Sequence, residues 1–193
     1  VAGKFAIHLQ GDATAIFIKL AHVVLMNILF VHGNFPGQFL EIAPQLAKHC
    51  NAQTVFLTKS DNPQNISLPG IQVSRFKLHR EPAKDVHKYL IPSEQAVLNG
   101  QAVVRAVDQL IVKGFYPDVA IVHGGMGYGL YLKTVYPKIK LISYMEWYFN
   151  KNTSQYLYAD FGVHQALSAE TRNWPIVQEL ISSDVVVSPT LWQ

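Results

Sequence analysis

The chain has 193 residues, of which 49% are hydrophobic and 15% charged, with a net charge of +3. That length suits one well-buried domain and is short for two, and the composition describes an ordinary globular core with few surface charges to spare. The charge is modest and no Lys/Arg cluster gathers on one segment, which argues against nucleic acid as a partner.

The first 25 residues read apart from the rest. Ala15 to Leu25 is apolar but interrupted by Lys19 and His22, so it falls short of the roughly 20 uninterrupted apolar residues of a membrane-spanning helix. No clear small-residue cleavage site precedes Met26, as a signal peptide would require. Residues 1–25 are therefore expected to be an extension without a role in function: an appended strand or helix, or a gene-start error. The working domain, 26–193, is expected to begin at Met26.

From there the chain alternates strands and helices. The apolar run Ile28-Leu29-Phe30-Val31 stops at His32-Gly33. After Asn34-Phe35-Pro36-Gly37 the apolar spacing becomes helical at Phe39, Leu40, Ile42, Ala43, Leu46 and Ala47. A buried strand, a glycine turn and an amphipathic helix open a βαβ unit. The single cysteine, Cys50, cannot form an internal disulfide, which suits a reducing, cytoplasmic compartment. With no helix N-terminus or Cys-X-X-Cys neighbour to lower its pKa, it reads as a bystander thiol.

Thr54 to Thr58 is a second strand, followed by a polar loop containing Asp61-Asn62-Pro63, and Ile71 to Phe76 is a third. Pro82 is expected to open one helical stretch and Pro92 a longer one, whose apolar positions run from Ala96 to Ile111 and stop at Gly114. Asp118 to Val122 is a fourth strand, ending at His123-Gly124-Gly125. A short helix over Gly129 to Val135, a strand over Ile139 to Ser143, a helix over Thr171 to Ile181 with Pro175 near its first turn, and a strand over Asp184 to Val187 complete the pattern. No internal repeat or low-complexity segment is present. The chain stops at Ser188-Pro189-Thr190-Leu191-Trp192-Gln193, just as a Ser/Thr-Pro signature opens a helix, so it is expected to be a fragment of a longer protein.

Alternating elements of this size predict an α/β domain, a mostly parallel sheet with helices on both faces. The usual strand order sets the first strand beside the fourth, and ligands bind outside the carboxyl ends of the strands where the winding reverses. His32 and His123 then end neighbouring strands on the ligand edge. A backbone hydrogen bond that merely caps each strand would account for either histidine alone.

Gly33 and Gly37 allow close approach of backbone to a ligand, and Pro36 presets a helical φ at the first turn. The free N–H groups opening that helix suit a diphosphate oxygen, which makes Gly33 to Gln38 a candidate phosphate contact. Gly124, Gly125 and Gly127 offer a second close-approach backbone. The run Tyr144-Met145-Glu146-Trp147-Tyr148-Phe149 sets one acid among aromatics. Aromatic faces suit the C–H faces of sugars, and a buried carboxylate needs a partner. Glu146 is expected to bind a hydroxyl or orient a histidine, and Trp147 to belong to the core. Asp160 and His164 do not rise above solvated polar residues. The chain has no His-Glu-X-X-His, paired cysteines, Asp-X-Asp, Walker or Gly-X-Ser-X-Gly sequence, and its Gly-X-Gly is an incomplete dinucleotide fingerprint. No metal site is expected.

The phrases Ile28-Leu-Phe-Val-His-Gly-Asn-Phe-Pro-Gly-Gln-Phe39, His123-Gly-Gly-Met-Gly127, Leu141-Ile-Ser-Tyr-Met-Glu-Trp-Tyr148 and Val187-Ser-Pro-Thr-Leu-Trp-Gln193 occur in that order. Together they resemble the amino-terminal domain of a subgroup of family 4 glycosyltransferases. The resemblance implies a Rossmann-like three-layer domain, the amino-terminal half of a GT-B fold, whose carboxy-terminal donor-binding domain is missing here. It implies metal-independent sugar transfer from a nucleotide-sugar with retention of configuration, no cofactor, and a sugar or lipid-linked acceptor. It places His123 near the transferring sugar, with His123 and Glu146 as catalytic candidates. His32, Gly33, Asn34, Pro36, Gly37, Gln38, Gly124, Gly125, Gly127 and Tyr144 become substrate-binding candidates. The subgroup commonly has a Trp near Met126 and a Glu near Tyr128, and this chain departs from it at both. Lipid-linked acceptors are compatible with peripheral membrane contact, although no strongly basic amphipathic helix argues for it. The alternative from another class is a stand-alone Rossmann-like module that binds a nucleotide, sugar or protein without catalysis.

Overall fold

The computed structural model describes residues 6–8 (backbone only), 26–50, 52–61, 66–150, 152 and 162–189. Asp160 and the final phrase beyond residue 189 lie outside them, as does all of the amino-terminal extension except 6–8.

The strands are β1 (Ala6–His8), β2 (Ile28–His32), β3 (Thr54–Thr58), β4 (Ile71–Arg75), β5 (Val119–His123), β6 (Lys140–Tyr144) and β7 (Val185–Ser188). They form one sheet in the order β1-β7-β6-β5-β2-β3-β4, and every pairing is parallel. The chain winds outward through β3 and β4, then restarts beside β2 with β5 and proceeds the other way. The reversal therefore falls between β2 and β5, as the alternation of elements implies. Within the extension, Ala6–His8 pairs with β7 as an edge strand.

Both faces of the sheet are covered, so its central strands are apolar at every position instead of alternating. All five residues of β2 and of β3 are buried. Leu29, Val31, Val55, Leu57, Ala120, Val122 and Leu141 face α2 (Ile91–Val112) and meet its Ala102, Val103, Ala106 and Val107. Ile28, Phe30, Phe56, Ile121 and Ile142 face the other way, onto Ile42, Ala43 and Leu46 of α1 (Ile42–His49). The short α3 (Leu132–Val135) and the long α4 (Val163–Ser182) complete the set, and α4 packs against α2. The result is a three-layer, Rossmann-like α/β fold.

Four expectations need correction. The helix after β2 begins at Ile42, because a 3-10 turn over Gly37–Phe39 intervenes and Gly37 holds φ at +54°. Pro36 therefore presets no α-helical turn. The stretch from Pro82 is a series of turns, not a helix. Between Lys84 and Lys88 it has a single aliphatic residue, Val86, so no stripe can be buried to stabilise a helix. The helix placed over Gly129 to Val135 forms only at Leu132–Val135, because the preceding residues close tighter turns, Leu130 N–H to the Gly127 carbonyl and Leu132 N–H to the Gly129 carbonyl, each at 3.2 Å. The last helix starts at Val163, well ahead of Thr171, which puts Pro175 in its interior. Proline there removes a donor from the carbonyl of Thr171, and the Ser93 hydroxyl of α2 reaches that oxygen at 3.5 Å.

Candidate functional site

Register and parity build the site. Val31 pairs with Val122 and His123 with Tyr144, so His32, His123 and Tyr144 stand in a row across three adjacent strands. Thr58 extends the row beside His32, and Val187 beside Tyr144. Side chains alternate along a strand. All these residues share parity with Phe30, Phe56, Ile121 and Ile142, so they open onto the α1 face at the carboxyl ends of the strands. The rings of His32 and His123 are 4.5 Å apart, and Phe39 lies edge-on to His32 and to Tyr144.

A directional chain of hydrogen bonds links these groups. The backbone N–H of Asn34 can only donate, and it points at Nδ1 of His32 at 2.8 Å. His32 therefore carries its proton on Nε2 and donates to Oε1 of Gln38 at 2.5 Å. The amide nitrogen of Gln38 in turn donates to Oε2 of Glu146 at 2.8 Å. Nε2 of His123 meets the same oxygen at 3.1 Å. Glu146 thus partners a histidine directly and a second one through Gln38, and it is the more exposed member of the His123–Glu146 pair. Burial, reinforced by the neighbouring His123, lowers the His32 pKa below its ordinary value. Burial raises the Tyr144 pKa, with Glu146 adding to it.

Each glycine of the site has a packing reason. At Gly37 a side chain would run into the His32 ring, at Gly33 into the Tyr128 hydroxyl, and at Gly124 into Met145. Gly125 and Gly127 hold φ at +85° and +83°, and a side chain at Gly127 would overlap the backbone of Ala96. The segment carrying Glu146 is tied down by Asn173 of α4, which accepts from the Phe149 N–H at 2.9 Å and donates to its carbonyl at 2.5 Å. Trp147 is partly buried and lies against Phe149. His164 sits apart from the row, bonded to the Tyr89 hydroxyl, and Cys50, at the end of α1, is partly buried with its thiol pKa raised by burial.

Three contributors escape the sequence reading. Glu179 is completely buried in α4, Asn99 is buried beside the loop after β5, and Tyr128 is buried within that loop. Glu179 does carry a signal, since it falls in the helical stripe Ala169, Asn173, Ile176, Glu179 that faces the core. A carboxylate on such a stripe demands hydrogen-bond donors. Among the described residues no group of three or more His, Cys, Asp or Glu side chains could hold a metal ion, and no helix is long and apolar enough to cross a membrane.

Comparison with known proteins adds the family. The model of the glycosyl transferase family 4 group matches residues 50–193, a span that includes His123, Glu146 and Glu179. No curated protein matches the chain. Among solved structures it is similar to Os79 from O. sativa in complex with trichothecene, with 11% identity over 83% of this chain and 46% of that one and a TM-score of 0.49. A UDP-glucose:anthocyanidin 3-O-glucosyltransferase in complex with UDP gives 10% identity over 86% and 53%, with a TM-score of 0.49. UGT2 of Phytolacca americana, complexed with UDP-2fluoro-glucose and pterostilbene, gives 14% identity over 64% and 31%, with a TM-score of 0.47. The chain thus spans between 31% and 53% of the length of these three proteins. Since the family match covers well over half of its residues, the chain belongs to the glycosyl transferase family 4 group.

Proposed function

We propose that the chain is the acceptor-side domain of a retaining, metal-independent glycosyltransferase of GT-B architecture. It would transfer a hexose-type sugar from a nucleotide-sugar to an acceptor, facing a carboxy-terminal donor-binding domain and inactive without it. The observation that supports this reading best is the hydrogen-bonded chain from His32 through Gln38 to Glu146 and His123, set at the point where the winding of the sheet reverses. Both contacts to Glu146 fall on Oε2, which leaves Oε1 for a sugar or acceptor hydroxyl. His123, with Nε2 directed at the carboxylate, keeps Nδ1 as its acceptor. The turn from Gly33 to Gln38 would meet the donor diphosphate, except through the amide of Asn34, which His32 already holds. Tyr144 would line the floor of the sugar site. The nucleotide-sugar is substrate, and the reading includes no further cofactor.

The test uses the full-length protein with a panel of UDP- and GDP-sugars in the presence of EDTA. Donor hydrolysis or transfer should survive chelation, and the product should keep the anomeric configuration of the donor. His123→Ala and Glu146→Ala should each lose roughly 100-fold or more of the rate, the usual scale for removing a proton-handling group. Wild-type rates in both folded variants would sink the site assignment. An inverted product would overturn retention, and activity lost to EDTA and restored by Mg²⁺ would overturn metal independence.

A further inference from the structure

We propose that Glu179 is a positioning residue: a buried carboxyl that holds the loop Gly124–Gly129 from the far face of the sheet and so sets the spacing of His32 and His123. Its two carboxylate oxygens are both engaged, Oε1 by the Gly129 N–H at 2.8 Å and Oε2 by the Gly125 N–H. The positive φ of Gly125 and Gly127 turns these amides inward, which makes the loop an anion-binding nest. In many proteins such a nest receives a phosphate. Here a side chain of the same chain fills it.

The loop is held from α2 as well. Asn99 of α2 donates to the Met126 carbonyl at 2.7 Å, and Gly127 rests on the backbone of Ala96. Ser183, one turn beyond Glu179, bonds back to the Glu179 carbonyl and to Ser143 of β6. From the nest the restraint runs two ways. Gly125 follows His123 and Gly124, whose N–H is bonded to Tyr144. Tyr128 lies inside the nest segment, packs on Phe76, and sets its hydroxyl against Gly33, the residue after His32. One buried carboxylate therefore braces the loops that carry both histidines. The proposal refines the glycosyl-transfer reading, because a filled nest leaves the donor diphosphate to the Gly33–Gln38 turn and the second domain.

The test compares the full-length wild type with Glu179→Gln and Glu179→Ala. In Glu179→Gln the new NH2 faces amides that also donate, so one bond is lost while the volume is kept. The ¹H–¹⁵N signals of Gly125, Gly127 and Gly129 and the ring signals of His123 should shift. The kcat should fall about tenfold while KM changes less than about twofold, as expected when reacting groups are misplaced but binding surfaces persist. In Glu179→Ala, sodium formate should restore part of both readouts by occupying the nest, and sodium chloride should not. Unmoved histidine signals in Glu179→Gln would overturn the proposal even if kcat fell, since the loss would then be packing alone. Should Glu179→Ala fail to fold, Glu179→Gln decides. The NMR arm needs no turnover, so a wild type inactive with every donor would sink the glycosyl-transfer reading and leave the glycine and histidine signals to judge this one.

Discussion

His32 and Glu179 are buried titratable groups whose proton affinities are moved in opposite senses by the same cause. Burial, then the charge of His123, lowers the His32 pKa. The folded state therefore binds fewer protons than the unfolded chain in the window below the ordinary histidine pKa, and stability rises with pH there. Burial pushes the Glu179 carboxyl up to about 7, against the pull of the Gly125, Gly129 and Gly127 amides. Between the ordinary carboxylate range and that value the folded state holds the extra proton, so stability falls as pH rises. Tyr128, pushed up to about 12 by burial and then by the Glu179 charge, is the titratable neighbour of Glu179 and stays neutral in this window, while His123 and Glu146 face His32. The two slopes oppose each other. Urea unfolding across about pH 5 to 7 should show a shallow dependence in the wild type, a steeper rise with pH in Glu179→Gln, and a fall with pH in His32→Gln. Matching slopes in all three proteins would show that neither group titrates as described.

At the scale of elements, α4 acts as a common clamp. Asn173 holds the segment that carries Glu146, and Glu179 holds the loop that follows His123. Asn173→Ala should speed amide exchange at Phe149, measured by hydrogen exchange, and lower the transfer rate without altering the exchange of β2. The glycines divide similarly. Gly114 holds φ at +89° in open space, whereas Gly127, at +83°, abuts Ala96. Gly114→Ala should cost about 1 kcal/mol from backbone strain alone. Gly127→Ala should cost more, because α2 must also yield, and calorimetry of the two variants makes the comparison. Much of this was legible in residue order: strand-ending histidines, glycine turns and an acid among aromatics all announce themselves locally. Glu179 did not, because its partners are backbone amides some 50 residues away in sequence. Local spacing also missed the late start of α1, since Gly37 takes its conformation against the His32 ring, a contact no helical period encodes.

For the molecule as a whole, parallel pairing gathers the carboxyl ends of all seven strands on one edge. The topology followed from strand–helix alternation, and the reversal between β2 and β5 explains why two histidines 91 positions apart meet. The same arrangement grades stability from centre to rim. β2, β3 and β5 are enclosed by two helical layers, whereas β4 at the edge has exposed positions such as Val73. Native-state hydrogen exchange should find the slowest amides in β2 and β5 and markedly faster ones in β4. Uniform protection across the sheet would contradict this gradient.

The Asn34–His32–Gln38–Glu146–His123 chain has a consequence for how the site can respond. Turning the Gln38 amide over would set its NH2 against the Nε2–H of His32 and its oxygen against Glu146, two repulsive contacts at once. The Gln38 amide orientation is therefore fixed at one end by the His32 tautomer and at the other by the Glu146 carboxylate, contacts that polarise one another as hydrogen-bond chains do. Removing the Glu146 contact would free only the NH2 end of Gln38, since the Asn34 N–H still holds the His32 tautomer. The Glu146 end of the chain is thus connected to the His32 ring through the orientation of one side-chain amide.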